Sequence, residues 1–423
     1  MNILILGSGG REHAFALKIA NSKLSDKLYV APGNSGTQQI ATNIPININD
    51  FEQVKKTSLE HGISMIIVGP EDPLVNGIHD FFANDVQTKS ISIIGPKQNA
   101  ARLEGSKDFA KKFLVRHNIP TAAYATFTKE NIKEGFKFLK TLTPPYVLKA
   151  DGLAAGKGVL IINNFDEAKN QLNEMLVGEK FGSASSKVVI EEFLDGIELS
   201  CFVLTDGENY KVLPTAKDYK RIGEGDTGLN TGGMGAISPV PFANKELLNK
   251  IEKNIIIPTI KGLKKDKIEY QGFIFIGLIN VCNEPKVIEY NVRMGDPETE
   301  AVLPRIQNDF VKIFQSFKNK TLDKIQLKID ERSSATVVLV SGGYPSSYKK
   351  GIKITGTKDV VESTVYHAGA IQKEDSLYTN GGRVLAITSF GANFQKALNN
   401  SYNSALKIKF DGMYYRKDLG FDL

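Results

Sequence analysis

The sequence predicts a multidomain protein of mixed α/β and α+β class, and three observations support this prediction. The chain has 423 residues, which exceeds one ordinary hydrophobic core and suits about two or three domains. Up to about residue 100, short apolar runs alternate with segments of helical periodicity, a pattern typical of βαβ units around a parallel sheet. Beyond that region, longer apolar strands are separated by clustered glycine-rich loops.

The N-terminal part of the chain is predicted to fold around a parallel, Rossmann-like sheet. Its predicted strands are Asn2–Leu6, Leu28–Ala31, Met65–Val68 and Ile91–Ile94, and its predicted helices are Arg11–Asn21, Phe51–Gly62 and Ile78–Asn84. Because parallel strands end at the same edge of a sheet, we expect the loops after them to form a ligand-binding edge.

Two further domains are predicted from the rest of the sequence. Strands are expected at Tyr146–Lys149, Val159–Ile162, Val188–Glu191, Leu199–Leu204, Tyr210–Pro214, Phe273–Val281, Lys286–Tyr290, Ala335–Ser341 and Arg383–Ser389, and helices at Lys107–His117, Asp166–Leu176, Lys245–Leu263 and Asn393–Leu406. The mixed-charge tract Asp323–Ser334 indicates the last boundary. We therefore divide the chain into residues 1–103, 104–327 and 328–423.

Charge and apolar content exclude several classes of protein. Lys and Arg number 53 against 47 Asp and Glu, and the small surplus is dispersed, so we expect no nucleic-acid partner. Cys201 and Cys282 lie in apolar runs, which argues against a disulfide scaffold and fits a reducing, cytoplasmic compartment. The longest apolar runs have strand length and the N-terminus enters a strand directly, so we expect neither a membrane span nor a signal peptide.

The first glycine-rich loop, Gly7–Ala14, lies at a predicted strand-to-helix turn. Backbone N–H groups and the helix dipole favour a phosphate at such a turn. A dinucleotide site would need a third glycine where Glu12 stands and an acidic residue after the second strand, and the sequence offers neither. A phosphate or another polar ligand is therefore favoured over NAD, and a purely structural turn remains open.

The second loop, Lys149–Val159, resembles a phosphate-binding P-loop only superficially. Three residues separate Gly152 from Gly156, where a P-loop needs four, and a glycine follows Lys157. Small flexible residues framed by Lys149 and Lys157 can nevertheless close over phosphates, because two ammonium groups offset the negative charge. The alternative is a plain β-turn with surface lysines.

The most informative segment is Glu289–Thr299. Glu289 and Asn291 alternate along a predicted strand, so both side chains point to one face. Mg²⁺ prefers such oxygen ligands and usually takes one or two from protein together with phosphates. Arg293 continues on that face and is placed to contact the same phosphate. The alternative is an exposed strand edge with solvated charges.

Three other segments carry weaker signals. The strand Val188–Glu191 leaves into an acidic turn whose backbone can bond an adenine edge, with Glu198 placed for ribose hydroxyls. Gly223–Gly235 is expected to lack regular structure and to enclose a site. Asn380-Gly381 is expected to form a tight type I′ hairpin turn.

Taken in order, these segments resemble the ATP-grasp ligases, and among them the phosphoribosylamine–glycine ligase family. The resemblance is carried by Gly7–Ala14, Ala31–Gly36, Val68–Pro73, Leu103–Lys107, Lys149–Val159, Glu191–Gly196, Asp226–Pro239, Glu289–Glu300 and Asn380–Val384. It implies an N-terminal α/β domain, an ATP-grasp core with a lid inserted at about 121–190, and a small C-terminal α/β domain. It also implies ATP-dependent joining of glycine to 5-phosphoribosylamine through glycyl phosphate in purine biosynthesis.

The resemblance assigns roles to individual residues and implies a cytoplasmic monomer or weak homodimer without nucleic-acid or membrane partners. Glu289 and Asn291 would hold Mg²⁺ or Mn²⁺. ATP would be bound by Lys107, Lys149 and Lys157 at its phosphates and by Glu191, Glu192, Phe193, Leu194 and Glu198 at its adenosine. The two other substrates would be placed by Gly9, Gly10, Asp218, Gly235, Arg293 and Asp296, with Arg293, Lys157 and Asp296 as catalytic residues.

The sequence departs from the family pattern at a few positions. The strand Phe273–Leu278 supplies no second carboxylate for the metal. Leu229 and Met294 stand where the family's loops are expected to have Pro and Phe, and both remain apolar. A related ATP-grasp enzyme acting on another purine-pathway intermediate remains the alternative, because ATP-binding residues alone do not define the acceptor.

Removing Arg293 tests its assignment to the transferring phosphoryl group. Phosphoryl transfer relies on positioning and on charge neutralisation. We expect Arg293→Ala to lower kcat by ~10²-fold, which corresponds to the loss of about 3 kcal/mol for one preorganised donor. Release of ADP at saturating ATP measures the change, and wild-type turnover would contradict the assignment.

Overall fold

The computed structural model describes residues 1–154 and 158–423 and begins with a five-stranded parallel sheet. The strand order is β3-β2-β1-β4-β5. The strands are β1 (Asn2–Gly7), β2 (Lys27–Pro32), β3 (Thr42–Asn43), β4 (Ile63–Val68) and β5 (Ser92–Ile94). The helices of this domain are α1 (Gly10–Ala20), α2 (Phe51–Glu60), α3 (Glu71–Val75), α4 (Ile78–Asn84) and α5 (Gln98–Gly105).

This sheet forms from continuous apolar runs because both of its faces are covered. In β1, Ile3 and Ile5 pack into one hydrophobic cluster, while Leu4 and Leu6 pack into another. Such two-sided burial is expected for a parallel sheet. The predicted N-terminal strands and helices are confirmed, and the start of α1 lies at the carboxyl edge of the sheet.

A four-stranded antiparallel sheet follows, with the order β6-β9-β7-β8. It comprises β6 (Tyr124–Phe127), β7 (Tyr146–Ala150), β8 (Val159–Ile162) and β9 (Val188–Glu191), with α6 (Lys107–Arg116) before it and α7 (Ile132–Leu139) and α8 (Phe165–Leu176) packed against it. This unit, which we call the inserted subdomain (residues 124–191), has its own hydrophobic core. Leu148 and Leu172 are fully buried in that core.

The central part of the chain contains a four-stranded antiparallel sheet of order β11-β10-β16-β17. Its elements in chain order are β10 (Ile197–Thr205), β11 (Tyr210–Val212), β12 (Lys217–Asp218), β13 (Arg221–Gly223), β14 (Thr227–Asn230), β15 (Gly235–Ser238), α9 (Lys245–Ile251), α10 (Ile257–Lys265), β16 (Gly272–Val281), β17 (Glu284–Asn291), α11 (Glu298–Arg305) and α12 (Phe310–Gln315). A π-helical stretch at Glu252–Ile256 joins α9 to α10, so the predicted helix over this region is continuous.

The C-terminal part completes a five-stranded sheet of order β12-β15-β18-β23-β20 and forms a three-stranded sheet of order β19-β22-β21. Its elements are β18 (Ser333–Val340), β19 (Lys353–Ile354), β20 (Thr364–His367), β21 (Ala370–Lys373), β22 (Ser376–Thr379), β23 (Arg383–Gly391) and α13 (Phe394–Ala405). Because β12 and β15 precede the last domain in sequence, the C-terminal sheet is joined directly to the central part.

The structure differs from the sequence predictions at three places. The tract Gly223–Gly235 is not structureless, because it contains the paired strands β13 and β14 and the start of β15. The Asn380-Gly381 segment is not a hairpin, because β22 pairs with β19 and β21 while β23 pairs with β18 and β20. Cys282 lies exposed in the β16–β17 turn rather than in an apolar run.

Each helix among residues 1–154 and 158–423 is too short or too polar to span a lipid bilayer.

Arg416 is fully buried and joins the β13–β14 hairpin to the C-terminal tail. Its Nη1 lies 2.5 Å from Asp226 Oδ1 and its Nη2 lies 2.7 Å from Asp418 Oδ2. We expect Arg416→Met to lower the free energy of unfolding by about 3 kcal/mol, the low end for a broken buried ion pair, because Asp226 is partly exposed.

Urea denaturation measures this change against a matched control. Arg332→Met removes an exposed ion pair with Asp330 and should cost less than about 1 kcal/mol. Equal losses in the two variants would contradict a structural role for the burial of Arg416.

Candidate active site

Three of the predicted site residues, Glu198, Asp218 and Glu289, line a cleft beside the central sheet. The cleft has a volume of about 250 Å³ and its polar lining consists of Glu198, Ser200, Asp218, Lys220 and Glu289. These side chains come from β10, from β17 and from the segment around β12. Antiparallel pairing of β10 with β16 and of β16 with β17 places them side by side.

One end of the site holds a buried group of two lysines and one glutamate. Glu191, at the end of β9, has Oε1 3.0 Å from Lys149 Nζ and Oε2 2.8 Å from Lys111 Nζ. All three side chains are at most 6% exposed. Although burial alone would raise the pKa of Glu191, Lys149 and Lys111 lower it. The carboxylate is therefore charged, and the group carries a net positive charge.

Lys107 stands at the start of α6, close to the turn that follows β7. Its Nζ lies 3.5 Å from the carbonyl oxygen of Gly152. Asp151 fixes this helix start, because its carboxylate accepts hydrogen bonds from Ser106 Oγ at 3.0 Å and from the Asp108 amide at 2.7 Å. Burial lowers the pKa of Lys107, and the charge of Glu289 opposes that effect. The third predicted phosphate ligand, Lys157, lies outside the described residues.

The residues predicted to hold adenosine follow β9. Glu192 is tied to the start of the inserted subdomain, since its Oε1 accepts from the Ala123 amide at 3.0 Å and its own amide donates to Ala123 O at 2.9 Å. Phe193 is exposed and Leu194 is half-buried. Glu198 lies apart from them in the cleft, with Oε2 2.7 Å from Lys220 Nζ. Glu191 to Leu194 therefore lie at the end of β9 and along its connection to β10, whereas Glu198 lies within β10.

The two predicted metal ligands lie on β17. Glu289 pairs with Gly277 of β16 and Asn291 pairs with Phe275, so the two side chains share one face of the strand. The absence of a side chain at Gly277 leaves space for Glu289, whose Cγ would contact a Cβ there at 3.2 Å. Asn291 is buried, and its Nδ2 finds no hydrogen-bond partner among the described residues.

A second acidic group lies behind the cleft. Asp218 Oδ1 is 3.8 Å from Lys220 Nζ, and Glu298 Oε1 accepts a hydrogen bond from Ser200 Oγ at 3.3 Å. Burial and the nearby charge of Asp218 raise the pKa of Glu298 to about 7. This corner of the site can therefore exchange a proton near neutral pH.

Arg293 is oriented toward the N-terminal domain. Its Nε lies 3.0 Å from Glu71 Oε2 and its Nη2 lies 2.7 Å from Glu104 Oε1, while Glu104 Oε2 also accepts from the Val292 amide. Burial raises the pKa of Glu104 to about 7, against the opposing charge of Arg293. The predicted contact between Arg293 and a transferring phosphoryl group remains a prediction.

The side chain of Asp296 lies beside the start of α1, between the N- and C-terminal domains. Its Oδ1 is 2.9 Å from Arg383 Nη2, and its Oδ2 approaches the Arg11 amide at 3.5 Å. Gly9 and Gly10 adjoin it, and a Cβ at Gly10 would overlap the carboxylate of Glu300. The structure thus brings the predicted residues Gly9, Gly10 and Asp296 together.

Family models for the N domain, the ATP-grasp (A) domain and the C domain of phosphoribosylglycinamide synthetase match residues 1–104, 105–299 and 334–422. The chain belongs to this family. A phosphoribosylamine–glycine ligase from Vibrio cholerae is 45% identical to it over 426 residues, which cover 100% of this chain and 98% of that relative.

Solved structures agree with this family membership. The phosphoribosylamine–glycine ligase of Thermotoga maritima has a TM-score of 0.84 at 35% identity and covers 99% of this chain and 100% of that one. The biotin carboxylase domain of Hydrogenobacter thermophilus 2-oxoglutarate carboxylase, solved with MgADP, has a TM-score of 0.72 over 98% of this chain and 91% of that one. At 17% identity it shows a shared fold alone. The resemblance and the fold class predicted from the sequence are confirmed.

Gly235 lies on β15, which pairs with β12, the strand that carries the predicted site residue Asp218. It is buried in β15, opposite Val337, and a Cβ there would overlap Leu419. Its carbonyl oxygen accepts a hydrogen bond from the Tyr219 amide at 3.1 Å. The predicted contact between Gly235 and substrate remains a prediction, and the observed contacts are packing contacts.

Several site residues were missed in the sequence. They are Glu71, Glu104, Lys111, Lys220, Glu298, Glu300 and Arg383. The sequence could have indicated Lys111, because it lies four residues after Lys107 and therefore on the same face of the helix. The others reach the site from different elements and had no such signal.

A larger cavity of about 1040 Å³ lies elsewhere, between the N-terminal domain and α10. None of the predicted site residues lines it. Three of its lysines, Lys97, Lys264 and Lys320, are ion-paired, as in the contact of 2.7 Å between Lys264 Nζ and Glu208 Oε2. We therefore place the active site at the smaller cleft.

The ion pair of Glu71 makes stability depend on pH. Burial alone would raise the pKa of Glu71, but Arg293 and Arg11 lower it to about 2. The pKa of a glutamate in an unfolded chain is about 4.3. The ion pair therefore adds on the order of 2–3 kcal/mol to the free energy of unfolding, which is present above about pH 5 and lost toward about pH 2.

We expect Glu71→Gln to be less stable than the wild type at neutral pH and to approach it in acid, because the wild type then loses the same ion pair. Urea denaturation at about pH 7 and about pH 3 measures the two differences. A stability difference independent of pH would contradict the lowered pKa.

Proposed function

We propose that this chain joins glycine to 5-phosphoribosylamine with ATP and forms glycinamide ribonucleotide, ADP and phosphate, a step of purine biosynthesis. The full-length similarity to phosphoribosylamine–glycine ligases supports the two substrates. The geometry of the described residues supports the use of a triphosphate. We expect a cytoplasmic protein that is a monomer or a weak homodimer and has no nucleic-acid or membrane partners. We expect its three domains to comprise residues 1–103, 104–327 and 328–423.

The observation that carries this proposal is the buried positive charge around Glu191. Lys111 and Lys149 share a single carboxylate, and all three side chains are shielded from water. An uncompensated buried charge costs several kcal/mol. A bound triphosphate would offset this cost, and Lys107 stands at the same end of the site, where burial and the nearby charge of Lys149 both lower its pKa.

The reaction proceeds in two substitutions. A carboxylate oxygen of glycine attacks the γ-phosphorus of ATP, the bond to the β-phosphate oxygen breaks, and ADP leaves. The amine nitrogen of 5-phosphoribosylamine then attacks the carbonyl carbon of glycyl phosphate, phosphate leaves, and the nitrogen loses one proton. Both steps depend on holding the reactants in line, which converts a bimolecular encounter into a unimolecular step.

Individual residues of this chain support each step. Lys107 and Lys149 neutralise phosphate charge, as does Lys157 in the prediction from the family. Asp218 provides a carboxyl group for a substrate amine in the cleft, and the pKa of Glu298 behind it, raised to about 7, suits that residue to accept a proton. Gly9 and Gly10 lie beside Asp296 at the start of α1, where the three residues would help to place the amine substrate and glycine.

A divalent cation fits the residues of β17. Glu289 and Asn291 would hold Mg²⁺ or Mn²⁺ through their side-chain oxygens, and their placement on one face of β17, opposite Gly277 and Phe275, supports this fit. Within the described part of the chain, no group of three His, Cys, Asp or Glu residues is arranged to hold a metal. Two protein ligands together with phosphates are usual for Mg²⁺. When bound, the cation would supply charge neutralisation of the phosphates.

The inserted subdomain has a chemical reason to cover the site. Glycyl phosphate is hydrolysed by water, and excluding water also strengthens the ion pairs around the phosphates. This subdomain carries Lys149 on β7 and Glu191 on β9, so its position sets the phosphate contacts directly.

Release of ADP with and without glycine tests the proposed function. With Mg²⁺, ATP and 5-phosphoribosylamine, we expect ADP release to require glycine, with glycinamide ribonucleotide identified by mass spectrometry. Glycine-independent release would favour a related ATP-grasp enzyme with another substrate. Omission of 5-phosphoribosylamine is the matched control and should stop turnover, because glycyl phosphate then has no acceptor.

A further inference from the structure

Lys111 is a buried cation to which the mechanism above assigns no contact with a substrate. It lies on α6, one turn after Lys107, and its side chain is only 3% exposed. Its Nζ is 2.8 Å from Glu191 Oε2 and donates to Thr121 Oγ1 at 2.8 Å. Burying a lysine is costly unless its charge is paired, so this placement calls for an explanation.

The contacts of Lys111 lie where the inserted subdomain begins and ends. Thr121, just before β6, donates from Oγ1 to the Val287 carbonyl of β17 at 2.7 Å. Glu191 is the last residue of β9, and the next residue is bonded back to Ala123. One ammonium group therefore links both ends of the inserted subdomain to α6 and, through Thr121, to the strand that carries Glu289.

The same ammonium group also affects how Lys149 is paired. Glu191 divides its two oxygens between Lys111 and Lys149. Burial lowers the pKa of Lys111 to about 8. The negative charge of Glu191 opposes this shift, and the positive charge of Lys149 reinforces it. Without Lys111, the full charge of the carboxylate would act on Lys149 alone, and less of the Lys149 charge would remain for a phosphate.

We propose that Lys111 is a positioning residue for the nucleotide, which holds Glu191 so that Lys149 faces the phosphates and which fixes the base of the inserted subdomain. The inference rests on the proposed function, because it assumes that Lys149 contacts ATP. Lys111 itself touches no substrate and acts through Glu191 and Thr121.

Steady-state kinetics of Lys111→Met test this role. We expect KM for ATP to rise about tenfold, with kcat and KM for glycine within about twofold of wild type, since the lost energy affects nucleotide binding in the ground and transition states alike. Lys112→Met is the matched control, because Lys112 is the next residue of α6, 61% exposed and paired only with Asp108. It should leave all three constants unchanged.

A double-mutant cycle with Glu191→Gln separates positioning from general destabilisation. If Lys111 acts through Glu191, Lys111→Met should change KM for ATP less than about twofold in the Glu191→Gln background. An equal rise in both backgrounds, or a fall in melting temperature without a change in KM, would overturn the inference. If Lys111→Met does not fold, Lys111→Gln provides the same loss of charge.

Calorimetric titration with ADP keeps this inference distinct from the proposed function. ADP affinity does not depend on the acceptor, so weaker binding by Lys111→Met supports the positioning role even if glycine proves not to be the substrate. Wild-type ADP affinity in that variant, alongside glycine-dependent turnover of the wild type, would overturn the inference and leave the proposed function intact.

Discussion

The buried ion pairs of Arg293 hold the N-terminal domain against the end of β17, and the placement of the parallel sheet beside the predicted metal ligands depends on them. This residue follows β17, which carries both predicted metal ligands, and its partners Glu71 and Glu104 belong to α3 and α5. Loss of these contacts would leave two carboxylates without their counterion, which is costly in a buried site. The ion pairs therefore fix the distance between the ligand-binding edge of the parallel sheet and β17.

Charge is distributed unevenly along the site. Around Arg293, two carboxylates contact its guanidinium and Arg11 also lowers the pKa of one of them, Glu71, whereas around Glu191, two ammonium groups share one carboxylate. The second arrangement leaves a buried positive charge that a phosphate group can neutralise. The structure thus separates a region suited to anions from a region suited to amino groups, with Glu289 between them facing Lys107 and Lys220.

Glycines at two positions allow carboxylates to approach the backbone closely. A Cβ at Gly10 would overlap Glu300, and one at Gly295 would overlap Glu298. Both carboxyl groups are buried, and burial raises the pKa of each. Glycines in these clusters therefore leave space for buried carboxyl groups in addition to forming loops. Composition alone does not reveal the first of these roles.

Local sequence determined the fold class, most strands and helices, and the same-face placement of Glu289 and Asn291, because periodicity and strand alternation act over a few residues. It also identified Lys107 and Lys149, which lie in glycine-rich contexts. Tertiary structure decided which charges meet. Arg293 and Glu71 are 222 residues apart, and no local pattern links them. Likewise, the turn-forming residues Asn380-Gly381 do not produce a hairpin, because β22 and β23 pair with strands of two different sheets.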